Sequence, residues 1–113
     1  MLRDNALLED ILRAARLILA FTKDVDEARF MTDELIQSGV MKQFENIGEA
    51  AGLVSTAFSV DHPEIPWHGM VSMRNRLIHG YSKVRLELVW KGVKTDISAL
   101  IALIEPLVPP EEE

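Results

Sequence analysis

Residues 7–19, "LLEDILRAARLIL", decide the fold class. The apolar positions Leu7, Leu8, Ile11, Leu12, Ala15, Ile18 and Leu19 return at steps of three and four. That is the period of a helix buried along one face, not the alternation of a strand. Asp4 stands where an N-cap belongs, so the pattern predicts a helix running from there to about residue 23. "KDVDEAR" then reads as a polar connector with a short helical turn around residues 27–31. Leu35, Val40, Phe44, Ile47, Ala51, Val54 and Phe58 keep the helical step and predict a second long helix over about residues 32–58. Gly48 and Gly52 lie four apart inside it, each costing of order 1 kcal/mol relative to Ala, and point to a close helix–helix approach.

"SVDHPEIPW" stops that helix, because its two prolines cannot continue one. A third helix is expected from Trp67 to about residues 79–80, where Gly80 is a natural stop. A fourth covers residues 86–104, with Leu86, Trp90, Val93, Ile97, Leu100 and Ile104 as its apolar stripe. Trp67 and Trp90 read as core, and residues 106–113 as an acidic, flexible tail. The expectation is one all-α domain over residues 1–113, an antiparallel bundle of four main helices with one short addition.

The chain has 113 residues, 48% hydrophobic and 27% charged, the composition of a soluble globular domain. It contains no cysteine, which excludes disulfides and thiolate metal sites and fits a cytoplasmic location. No stretch reaches the roughly 18 uninterrupted apolar residues of a membrane span, and early acids argue against a signal peptide. The net charge of −6 conceals an uneven distribution. Residues 70–94 carry six basic side chains and one acid, a block of +5 in a remainder of −11. A basic block is often only a solvated face. This one coincides with His79 and the single tyrosine, Tyr81.

On a helix advancing about 100° per residue, Met70, Met73 and Leu77 turn inward while Asn75 and His79 share the polar side. Arg74 and His79 stand about 140° apart, so one copy does not aim both at a point; two copies face to face bring their polar sides together. Histidine exchanges protons near neutral pH, and the arginine fork matches phosphate oxygens. The pair suits metal-free RNA cleavage: His79 takes the ribose 2′-hydroxyl proton, that oxygen attacks phosphorus, and Arg74 stabilises the developing charge. Asn75 is a candidate to orient the imidazole, and Arg76, Lys83 and Arg85 to hold backbone phosphates. His62, His68 and His79 lack ligand spacing, so neither metal nor cofactor is indicated. Glu45 and Glu49 read as a solvated polar stripe or a partner contact. The residues alone leave two readings of His79, a catalytic base or a helix-end histidine with structural hydrogen bonds.

"RNRLIHGY" resembles the signature of the HepT toxins, a branch of the HEPN superfamily: Arg, four residues, His, one residue, Tyr. "LEDILRAARLILAFT", "FENIGEAAG", "HPEIPWHGMVSMRNRLIHGY" and "LELVW" are similar to the corresponding parts of HepT-like sequences, so the resemblance covers nearly the whole chain. Ser72 departs from the Gly such sequences often carry before "MRN". The resemblance implies a helical homodimer whose motif residues line one cleft, and a ribonuclease toxin dependent on Arg74 and His79. It also implies a partner, an MNT-type nucleotidyltransferase antitoxin that silences the toxin by transferring AMP to Tyr81. A rival expectation is a non-catalytic helical subunit that binds RNA or nucleotide, or serves as scaffold for the nucleotidyltransferase.

Overall fold

A computed structural model describes residues 2–80 and 85–109. Its helices, in chain order, are α1 (Leu2–Phe21), α2 (Glu27–Thr32), α3 (Glu34–Leu53), α4 (Thr56–Asp61), α5 (Trp67–His79), α6 (Leu86–Lys91) and α7 (Ile97–Ile104). A π-helical turn, Gly92–Asp96, joins α6 to α7, and a 3-10 turn, Glu105–Leu107, follows. The described residues form an all-α bundle, as the periodicity predicts. None of their helices is long and apolar enough to cross a membrane.

Helix α3 is the centre, packing on α1 along one side and on α5 along the other. Both pairs are antiparallel. The end of α1 meets the start of α3, where a Cβ on Gly39 would lie 3.2 Å from the Phe21 ring. The start of α1 meets the end of α3 through Asp4 and Ser55. Along α5, Gly48 faces Arg74 and Gly52 faces Val71, so the numbering runs in opposite senses. Leu8, Ile11, Ile18, Val40, Ile47, Ile97 and Ile104 are fully buried at the centre. Phe30 stacks beside Trp90, ring centroids 5.0 Å apart, and ties α2 to α6.

Four expectations need correction. Asp4 does not cap α1, which already begins at Leu2. It is 2% exposed, and its carboxylate accepts from Ser55 N (2.9 Å) and Ser55 Oγ (2.7 Å). Second, the long helix ends at Leu53: Val54 turns extended, and Ser55 caps a separate α4 by accepting from Phe58 N. Third, Leu35 lies off the buried stripe and is 83% exposed. Capping by Asp33 sets the register so that Gln37 turns inward, its Nε2 donating to Phe30 O at 2.8 Å. Fourth, the tail is partly folded. Glu105 pairs with Arg16, and Leu107 and Val108 pack on the core, while residues 110–113 lie outside the described residues.

The Asp4–Ser55 pair makes a prediction. Both bonds favour the ionised carboxylate, the Ser55 amide most, and hold Asp4 below the ordinary aspartate range. As pH falls the unfolded chain binds this proton first. The contribution is therefore complete above the ordinary aspartate pKa of about 3.9 and lost as pH drops through the lowered folded value. Asp4→Asn should lower Tm at neutral pH, and its gap from wild type should narrow as pH falls below the ordinary aspartate pKa of about 3.9, in thermal melts followed by circular dichroism.

Candidate functional site

Helix α5 carries the basic motif, and its inward face is apolar. Met70 and Leu77 are buried and Met73 is half-buried, while Asn75, Arg76 and His79 are exposed. These are the faces the sequence predicts. The helix starts after Pro66, and the Trp67 indole Nε1 donates to His62 O at 3.0 Å. It stops at Gly80, whose N–H donates to Arg76 O at 2.9 Å.

Arg74 is set by contact with α3. A Cβ on Gly48 would stand 2.2 Å from Arg74 Cβ and 2.6 Å from Met70 O, far inside any real contact. Only glycine lets α5 come this close. The stem of Arg74 is thus wedged against bare backbone of α3. Its Nη1 donates to Asn75 Oδ1 at 3.2 Å. Its Nε is buried without a hydrogen-bond partner among the described residues. A buried guanidinium nitrogen left unmatched is costly. On the other flank of the Gly48 contact, the second glycine, Gly52, is looser: a Cβ there would sit an ordinary 3.7 Å from Val71 Cγ2.

His79 is the last residue of α5 and stands in solvent. The fold does not bring it onto Arg74, since the two leave one helix about 140° apart. Asn75 reaches Arg74 rather than the imidazole it was expected to orient. Arg76 and Arg85 are both exposed; Arg85 Nε donates to Glu87 Oε1 at 2.7 Å. The backbone amide of Glu87 and then Arg85 hold the Glu87 carboxyl below the ordinary glutamate range. Tyr81 and Lys83 lie outside the described residues.

The other histidines stand apart from this motif. His62 Nδ1 is 3.2 Å from Glu64 Oε2, and its ring stacks on Phe58 at 4.4 Å. His68 is exposed on the first turn of α5. Among the described residues no group of three His, Asp or Glu side chains is placed to hold a metal ion. Glu45 is half-buried and Glu49 exposed on α3. Trp90 is buried and Trp67 half-buried, with Lys94 Nζ 5.4 Å from the Trp90 ring centroid.

Packing of the π-turn behind the motif goes beyond the sequence expectations. A Cβ on Gly92 would lie 3.1 Å from the Phe44 ring and 3.6 Å from Met73 Cε, so the π-turn sits against Phe44 of α3 and the tip of Met73. Gly92 inside an apolar pattern was the available signal.

Comparison with known proteins identifies a family. The family model described as "Ribonuclease HepT-like" matches residues 11–107. The "Probable ribonuclease HepT" of Thermococcus cleftensis is 42% identical over 100 residues, covering 88% of this chain and 91% of the relative. "Putative RNase MJ1380" of Methanocaldococcus jannaschii is 38% identical over 101 residues, covering 89% and 93%. "Putative RNase TTE0752" of Caldanaerobacter subterraneus subsp. tengcongensis is 26% identical over 105 residues, covering 93% and 94%. No solved structure gives a significant match.

Proposed function

The chain belongs to the ribonuclease HepT-like family, and on that premise we propose that it is a metal-independent endoribonuclease toxin acting as a homodimer. The observation that carries this reading is Arg74, an ever-charged group wedged on Gly48, with a buried Nε that has no acceptor among the described residues. A phosphate oxygen is an acceptor of the right charge and geometry. His79, exposed and held at the end of the same helix, supplies the proton chemistry.

In this reading each cleft takes Arg74 from one protomer and His79 from its partner. The imidazole accepts the 2′-hydroxyl proton. The freed oxygen attacks the adjacent phosphorus, and the bond to the 5′-oxygen breaks. That oxygen takes a proton from water as it leaves, and the imidazolium returns its own proton to solvent, giving a 2′,3′-cyclic phosphate and a 5′-hydroxyl end. Arg74 stabilises the charge on the non-bridging oxygens as it grows. The residue types need no metal for any of these steps.

The same reading makes the protein the toxin of a cytoplasmic toxin–antitoxin pair. An MNT-type nucleotidyltransferase silences it by transferring AMP to Tyr81. Two residues from His79, an added adenylate brings bulk and negative charge to the place where RNA must bind.

Two measurements test the proposal. Purified protein in excess chelator should convert RNA to fragments ending in 2′,3′-cyclic phosphate. Intact mass after co-expression with the nucleotidyltransferase should rise by one adenylate, and the rise should vanish in Tyr81→Phe. Fragments that form only when divalent metal is restored would sink the mechanism. An unmodified wild-type chain would sink the off-switch.

A further inference from the structure

Beside the motif, on the flank of α5 turned away from Gly48, a groove of about 310 Å³ opens between α5 and α6. Met73, Leu77 and Leu88 form its apolar floor, and Arg76 and Arg85 stand at its edge. The volume is at the small end of the roughly 300–1,000 Å³ range of ligand sites, the scale of a single nucleotide. Arg76 and His79 are three residues apart on α5, which puts their Cβ atoms about 5–6 Å from each other. His79 is therefore a neighbour of the groove's Arg76, though it does not itself line the groove.

We infer that this groove is a subsite for one unpaired nucleotide of the RNA strand. The inference rests on the ribonuclease reading above. The apolar lining suits the face of a base, and guanidinium planes at the rim stack on bases as well as holding phosphates. Two exposed arginines at one edge complement a strand that carries a phosphate at every step. Glu87 engages Arg85 through Nε, which fixes the fork and leaves its terminal nitrogens for a phosphate. A base locked in a duplex cannot turn into the groove. The occupant is therefore single-stranded RNA, and the subsite selects unpaired segments beside the bond to be cut.

The test uses a fluorescent single strand of 2′-O-methyl RNA, which cannot supply the attacking hydroxyl. Anisotropy is read over a salt series. Arg76→Ala and Arg85→Ala should each weaken binding about 10-fold and reduce the salt slope by about one. Leu88→Ala should weaken binding several-fold with the slope unchanged, because it removes a base contact and no charge. Arg3→Ala removes the same charge at the opposite end of the bundle and should change neither. The matching duplex should bind more weakly than the single strand despite its higher charge density. Unchanged affinity in Arg76→Ala and Arg85→Ala, or a duplex that binds as well as the single strand, overturns the subsite. A partner protein's acidic segment as the true occupant would give that first result. Cleavage of unmodified RNA is scored separately. If it is absent while these binding effects hold, the catalytic reading falls and the subsite stands. If it is present while they fail, the reverse holds.

Discussion

His79→Ala should cut the rate of RNA cleavage by about 10²–10⁴-fold, the usual contribution of a positioned general base. The side chain is exposed at the end of α5, so its removal leaves the fold alone, and stability should stay within about 0.5 kcal/mol of wild type. That combination, lost chemistry with an unmoved Tm, separates a catalytic histidine from a structural one. Arg74→Ala should cost about 10²–10³-fold in kcat, the range seen when one donor to a developing oxyanion is removed. Arg74→Lys restores the charge but not the fork, so it should recover only part of that loss. The double variant should be little worse than His79→Ala alone, because groups acting in one transition state are not additive. Full activity in either single variant would remove that residue from the mechanism.

Gly48→Ala should be damaging for a different reason. The new methyl would have to occupy space 2.2 Å from Arg74 Cβ and 2.6 Å from a backbone oxygen, and neither is the free end of a flexible chain. Helix α5 has to move by roughly 1 Å. Overpacking of this kind costs roughly 1–3 kcal/mol and occasionally more, while alanine's helix propensity returns only about 1 kcal/mol. The net loss, up to about 2 kcal/mol on these figures, lowers Tm by up to about 10 °C in a domain of this size. Activity should suffer beyond stability, because a catalytic group misplaced by about 1 Å can lose 10²-fold. Gly52→Ala is the matched comparison. Its methyl meets Val71 at an ordinary 3.7 Å, so it should be neutral or stabilising by up to about 1 kcal/mol. Equal Tm values for the two variants would show that the Gly48 contact does not set α5.

The residues the sequence read well are those whose neighbours lie on their own helix. Met70 and Leu77 turn in, and Asn75 and His79 turn out, because the helical angle alone decides it. Gly48 was legible as a close approach, but not that the approach would fall on Arg74. That depends on the register between two helices. Asp4 was misread because an N-cap signal is local, and a carboxylate serves equally well at the start of a helix fifty residues away. The break after Leu53 interrupts an otherwise continuous apolar period, and its local signal is Ser55, which caps α4 three residues before Phe58. The π-turn barely alters the apolar period, so residues 86–104 read as one uninterrupted helix. The groove lined by Arg76 and Arg85 belongs to two helices at once, and no single stretch announces it.

The most direct test of a cleft shared between protomers mixes two dead proteins. Arg74→Ala and His79→Ala are purified separately, then combined in equal amounts under conditions that exchange subunits. Two-fold pairing makes half the dimers mixed, each with one intact Arg74–His79 cleft, so cleavage should return to about a quarter of the wild-type rate. If native mass spectrometry shows mixed dimers and cleavage does not return, Arg74 and His79 do not act across the dimer.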